Sequence, residues 1–162
     1  MEDTEPIRAL LDEQNRFHTE LHPSFFQRSP THTSRIVELL ENPQATFLVA
    51  ESPHETMGEV TGEVVGLAEL HLARTKDLPV LVSKRYVHIG EIIVHAKHRG
   101  RGIGQMLMEA SRSWASSRGA ESLRTSVVPA NDGARNFYSR QGFRDIMISI
   151  ESDIETKPPH AS

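Results

Sequence analysis

The chain has 162 residues, 37% hydrophobic and 25% charged, a balance that fits one folded domain and excludes a disordered polar chain. Cysteine is absent, which excludes disulfides, thiolate metal sites and a cysteine nucleophile together. A formal charge of −4, from 18 Lys+Arg against 22 Asp+Glu, argues against a nucleic-acid partner held on a broad basic face.

In chain order, the start Met1-Glu2-Asp3-Thr4-Glu5 is acidic where a secretory leader is basic and then apolar. Runs such as Val64-Val65 and Ile92-Ile93-Val94 fall far short of the ~20 apolar residues that cross a bilayer. The expectation is a cytoplasmic protein with no membrane partner. Ile7, Leu10, Leu11, Phe17 and Leu21 recur at helical spacing, with Pro6 suited to a first turn, so a helix is predicted up to His22-Pro23. Ser34 is placed to cap a second, short helix carrying Ile36, Leu39 and Leu40 and closed by Asn42-Pro43. The hydrophobic period then changes. Residues 45–52 read as a strand, 53–62 as a polar turn region, and 64–73 and 86–95 as two further strands around a loop, 74–85, punctuated by Pro79.

Residues 102–118 form the clearest helical pattern, with Ile103, Leu107, Ala110 and Trp114 as its apolar stripe and Gly119 where a terminating glycine belongs. A strand over 122–128, a short helix over 131–140 ended by Gly142, and a last strand over 144–154 with Ile146, Ile148 and Ile150 on one face complete the pattern. There is no internal repeat, and the Pro-rich tail 156–162 is expected to fray. Helices first, then strands, then alternating units predict a single α+β domain over 1–155, a mixed sheet covered by helices.

The most informative segment is Arg99-Gly100-Arg101-Gly102-Ile103-Gly104, between a β-branched strand and an amphipathic helix. Alternate glycines let the backbone approach a ligand and turn several N–H groups toward one point, and the following helix adds its positive dipole end. The result is a cradle for a pyrophosphate, with Arg99 and Arg101 available for charge-assisted contacts. A Walker A loop is excluded because Gln105 and Met106 follow Gly104 in place of Lys-Ser/Thr. The dinucleotide pattern Gly-x-Gly-x-x-Gly fails too, because its last position falls on Gln105 or Leu107. A tight packing turn without a ligand is the competing reading. An Arg-Gly nucleic-acid segment conflicts with the acidic balance and the short tract.

With these residues the chain resembles the GNAT (GCN5-related) N-acetyltransferases. Their Arg/Gln-x-x-Gly-x-Gly/Ala signature is matched by Arg99, Gly102 and Gly104, and a second signature by Asn131, Ala134, Phe137-Tyr138 and Gly142-Phe143. The resemblance covers nearly the whole chain. It implies the GNAT fold, a mixed and mostly antiparallel sheet flanked by about four helices; because the helix pattern begins by Ile7, the family's first strand is expected either to be missing here or to lie upstream of Met1. An open sheet edge is then expected beside the 45–52 strand.

The resemblance also implies acetyl-CoA as co-substrate, with no metal. Pyrophosphate would lie on Arg99, Gly100, Arg101, Gly102, Ile103, Gly104 and Gln105, and pantetheine would pair with the backbone of Ile92, Ile93 and Val94 as an added strand. That strand is expected to part from the 122–128 strand and admit the cofactor. Asn131 would contact the cofactor or a water near its thioester, and Tyr138 would stand near the sulfur. The implied reaction is direct attack of a primary amine, of a small molecule or a peptide, on the thioester. It needs a neutral amine, a stabilised oxyanion at a strand-end N–H such as that of Val94, and a proton for the departing thiolate, which a tyrosine hydroxyl can give.

For the base, His88 ranks first, then Glu91, with Glu69 on the neighbouring strand third. Strict alternation sets Glu91 on the face opposite His88 unless a bulge near Ile92 re-aims it. Relatives that modify protein N-termini carry a glutamate five residues before the asparagine, where this chain has Ser126. Acceptor recognition is expected from 18–35, with Leu21-His22-Pro23-Ser24-Phe25-Phe26 as a pocket wall or as a helix end tucked into the core, and from 74–85. His95/His98 and His18/His22 lie at spacings that invite a metal, but no carboxylate–histidine constellation joins them. The family habit suggests a homodimer. The alternative to catalysis is an acyl-CoA-binding GNAT-like sensor or interaction module without turnover.

Overall fold

A change of hydrophobic period after Pro43 separates a helical start from a sheet, and the computed structural model, which describes residues 4–56 and 59–154, follows it. The order is α1 (Thr4–Leu21), α2 (Thr33–Glu41), β1 (Ala45–Thr56), β2 (Glu59–Arg74), β3 (Arg85–Val94), a 3₁₀ turn (Ala96–His98), α3 (Ile103–Ser117), β4 (Ser122–Arg124) and α4 (Asp132–Arg140). Contacts divide the chain into two units, Met1–Ala130 and Asn131–Ser162.

The first unit holds a four-stranded sheet in the order β1-β2-β3-β4. β1–β2 and β2–β3 are antiparallel and β3–β4 is parallel, so the sheet is mixed and mostly antiparallel as expected. No strand precedes α1 among the described residues, and β1 stands at one end of the sheet.

Side chains alternate across a strand, so each face of β2 meets a different layer. Leu67 points to the α1–α2 side, in one cluster with Ile7, Leu10, Leu11, Ile36, Leu39, Phe47 and Ile93. Gly66 faces α3, where an added Cβ would lie 3.2 Å from both Ile103 and Leu107 side-chain atoms. A glycine is thus required there for α3 to approach the sheet closely. Ile36 and Leu67, both at 0% exposure, contribute about 1.5–3 kcal/mol each through burial of apolar surface.

Several expectations are corrected. The polar 53–62 stretch is not simply a turn, because β1 and β2 continue pairing out to Thr56↔Glu59; polar side chains are compatible with an extended hairpin held by backbone hydrogen bonds. Ser34 lies inside α2, whose N-cap is His32 without a side-chain cap bond. In α3 the buried stripe is Leu107, Met108, Ser111 and Ala115, while Ala110 is exposed. Ser111 is tolerated inside because its hydroxyl donates to the Leu107 carbonyl at 2.7 Å.

The 122–128 strand shortens to Ser122–Arg124, since its pairing with β3 ends at His88↔Arg124. Residues 144–154 form no strand, and Ile146, Ile148 and Ile150 are 68%, 75% and 91% exposed. Alternation gives a segment strand character, but a strand exists only where a neighbour completes its backbone bonds. The expected frayed tail at 156–162 lies outside the described residues. No helix among the described residues is long and apolar enough to cross a membrane.

Candidate active site

The site begins with an extra residue in β3. Pairing runs His71↔His88 and Leu70↔Ile89 and then jumps to Glu69↔Glu91, leaving Gly90 without a partner. The bulge therefore sits at Gly90, two residues before the expected place near Ile92. It reverses the alternation, so that Glu91 shares a face with His88, Glu69 and His71, on the side covered by α1 and α2. Gly90 also makes room: an added Cβ would stand 3.1 Å from Glu69 Oε1.

These side chains form a polar cluster within an otherwise apolar layer. Arg35 of α2 donates through Nη2 to Glu69 Oε1 at 2.8 Å and Oε2 at 2.9 Å. His71 Nε2 lies 2.8 Å from Glu69 Oε1. Burial, reinforced by the Glu69 carboxylate, pushes the Glu91 carboxyl up to about 7, against the pull of a hydrogen bond with Gln14 and the charge of Arg35. Burial and the neighbouring His71 hold the His88 imidazole below its ordinary value, with Glu69 acting in the opposite direction.

Glu91 opens onto a cavity of about 250 Å³ whose lining includes Leu11, Asn15, Thr31, His32 and Arg35. The rim is fastened to α1: Thr31 N donates to Asp12 Oδ1 at 2.8 Å, and Asn15 Nδ2 donates to Thr31 Oγ1 at 3.2 Å. A larger hollow of about 340 Å³ between α1, α2 and β1 is lined mainly by apolar side chains such as Ile7, Val37 and Phe47, with Glu41 as its ionisable residue, and is poorly suited to acid–base work.

On the far side of β3 the sheet opens. β4 pairs only with Tyr86–His88, and one further tie, from Thr125 Oγ1 to the Ile89 carbonyl at 3.0 Å, closes the contact. Ile92, Ile93 and Val94 run on with no β4 partner, leaving an edge that an extended ligand can join. The chain then passes the 3₁₀ turn into the glycine segment. Gly100 and Gly102 have φ of +74° and +81°, with open space around an added Cβ. Gly102 is the N-cap of α3, and the first intrahelical bond runs from Met106 N to its carbonyl at 3.0 Å. The N–H groups of Ile103, Gly104 and Gln105 therefore face out of the helix start. Arg99 is partly engaged, donating Nε to the Val94 carbonyl at 2.9 Å and lying 3.4 Å from Glu13. Arg101 is exposed.

In the second unit, Asn131 caps α4 by accepting from Ala134 N at 3.0 Å. Tyr138 packs edge-on against Phe137 and Phe143, at ring distances of 5.3 and 5.1 Å. Gly142, at φ +81°, ends the helix, and Phe143 N returns to the Tyr138 carbonyl. Back in the first unit, Phe26 stacks on His18 at 5.1 Å, while Phe25 is 69% exposed and not tucked into the core.

Sequence reasoning brought out His88, Glu91 and the glycine segment, and missed Arg35, His71, Gln14 and Gly90. A glycine inside a β-branched strand was the readable signal for the bulge. The reach of Arg35 across 34 positions to Glu69 left no local trace.

A profile for the Acetyltransferase (GNAT) family matches residues 7–143, and the chain belongs to that family. It is 34% identical over 113 residues to an N-alpha-acetyltransferase of Sulfurisphaera tokodaii, covering 69% of this chain and 64% of that protein. It is 33% identical over 67 residues to the uncharacterized N-acetyltransferase YobR of Bacillus subtilis, covering 41% of this chain and 27% of that protein. The match thus spans less than two thirds of either relative's length.

Among solved structures, a tetramutant of the BH1408 protein from Bacillus halodurans superposes with a TM-score of 0.84 at 23% identity, over 94% of this chain and 95% of that one. The aminoglycoside N-acetyltransferase AAC(6')-Iy in complex with CoA gives 0.67 at 19% identity, over 95% and 90%. At these identities the structural likeness establishes a shared fold.

Proposed function

We propose that this chain transfers an acetyl group from acetyl-CoA to a primary amine of a small molecule or peptide by direct attack. The observation that carries the reading is the opened sheet beside β3, ending in positive-φ glycines at the start of α3. An extended arm fits the free edge at Ile92, Ile93 and Val94, and a diphosphate fits the N–H groups from Gly100 to Gln105, with Arg99 and Arg101 at hand. Family membership and the CoA complex of a similar fold support acetyl-CoA as the co-substrate.

Bound there, acetyl-CoA supplies an activated thioester. Glu91 takes the proton of the acceptor ammonium, since it lines the cavity next to Asn15 and Arg35; His88, on the same face, is the second candidate. The amine nitrogen bonds to the acetyl carbon and the carbon–sulfur bond breaks. The N–H at Val94 donates to the carbonyl oxygen; the family resemblance gives Asn131 a role near the thioester and the Tyr138 hydroxyl the protonation of the departing sulfur, while the second proton of the acylated nitrogen leaves to solvent and Tyr138 regains one from it. The family match running across both units supports reading the chain as one GNAT domain, and a cytoplasmic location is part of the same proposal.

An amine panel assayed for thiol release from acetyl-CoA tests the reading. Turnover on at least one acceptor is expected, with Tyr138→Phe lowering kcat by about 10²-fold while CoA affinity holds. Tight CoA binding with no turnover on any amine would favour a sensor instead.

A further inference from the structure

Glu69, at 2% exposure, is the most enclosed carboxylate among the described residues. A buried carboxylate needs cations and hydrogen bonds to exist in charged form, and a core built of apolar residues at the same place is often no less stable. Here Arg35 Nη2 reaches both oxygens at 2.8 and 2.9 Å, and His71 stands 2.8 Å from Oε1. Gly90, the extra residue of β3, has no side chain to obstruct this arrangement. Directly across the strands lies Glu91, the carboxylate that opens onto the cavity. Of two adjacent carboxylates, the one that the guanidinium does not clasp is the one that is driven to hold a proton.

We propose that Glu69 is a positioning residue for acetyl transfer: clamped by Arg35 and His71 directly across from Glu91, it makes Glu91, rather than His88, the acceptor of the ammonium proton. The proposal rests on the acetyl-transfer reading with Glu91 as base. The groups facing Glu91 are Glu69 and His71 from β2, His88 from β3, Arg35 and His32 from α2 and its cap, and Gln14 from α1 with His18 one turn further on. Glu69 adds to the effect of burial on Glu91, whereas Arg35 and Gln14 oppose it. A cationic acceptor therefore meets a site with one carboxylate held by Arg35 and His71 and a second placed to receive its proton.

The test follows the Glu91 carboxyl directly by carbon-detected NMR titration of the full chain, alongside kcat/KM against pH with an acceptor from the amine panel. Glu69→Gln should lower the Glu91 midpoint by roughly one pH unit and carry the acid limb of kcat/KM down with it, leaving CoA affinity unchanged. Arg35→Gln, at a side chain 51% exposed and so less demanding of the fold, should move the midpoint up. Midpoints that stay put in both variants, with a native-like fold, overturn the clamp even if Glu91 is the base. An acid limb that survives in Glu91→Gln overturns the base assignment, and the proposal with it, whatever the titrations show.

Discussion

Glu91 carries two consequences that can be separated by pH. As a base it acts deprotonated, so turnover is expected to rise with pH through about 7, where its carboxyl titrates in the folded chain. The same group affects stability with the opposite sense. Its folded value lies above the ordinary 4.5, so the folded state holds the proton more tightly than the unfolded one. The stability this contributes is complete below about 4.5 and lost as pH rises through about 7. Glu91→Gln should therefore melt a few degrees higher than the native chain above pH 7, with the advantage fading toward pH 4.5, as calorimetry across that range would show.

At Gly102, φ of +81° and the helix start coincide. Gly102→Glu adds about 1–3 kcal/mol of backbone strain and places a carboxylate where a diphosphate is expected. CoA binding measured by calorimetry should fall at least tenfold. Unchanged affinity would remove the cradle.

Among elements, the bulged β3 is the decisive one. Without the extra residue at position 90, Glu91 would point to the α3 side, away from Glu69 and Arg35. Gly90→Ala brings a Cβ to 3.1 Å from Glu69 Oε1 and 3.2 Å from its Cδ, with little room to yield in a clamped side chain. A loss of about 1–3 kcal/mol in denaturant unfolding is expected, together with slower turnover at unchanged CoA affinity. The bulge was legible as a possibility and misplaced by two residues, because strand periodicity locates a face better than it locates an irregularity. α4 shows the reverse case. Asn131 and Gly142 were legible as its ends, and the capping bond to Ala134 N gives Asn131 a structural duty alongside its proposed one.

At the scale of the whole molecule, residues 144–154 stand out by their exposed apolar side chains. Ile146, Met147, Ile148, Ile150 and Ile154 are between 68% and 91% exposed on a segment with strand alternation. We propose that the chain forms a homodimer, as the family resemblance suggests. Light scattering should give twice the chain mass at micromolar concentration. A native monomer would set the proposal aside.

What the amino-acid order determined alone was local: helix ends at proline, asparagine and glycine, the alternation of the strands, and the glycine-rich helix start, each written within a few neighbouring residues. The tertiary structure decided the rest. Only packing α2 onto the sheet brings Arg35 to Glu69, 34 positions away, and only the β2–β3 register turns Glu91 toward them. Burial and charge at such a point are sums over distant groups, which no short stretch of sequence contains.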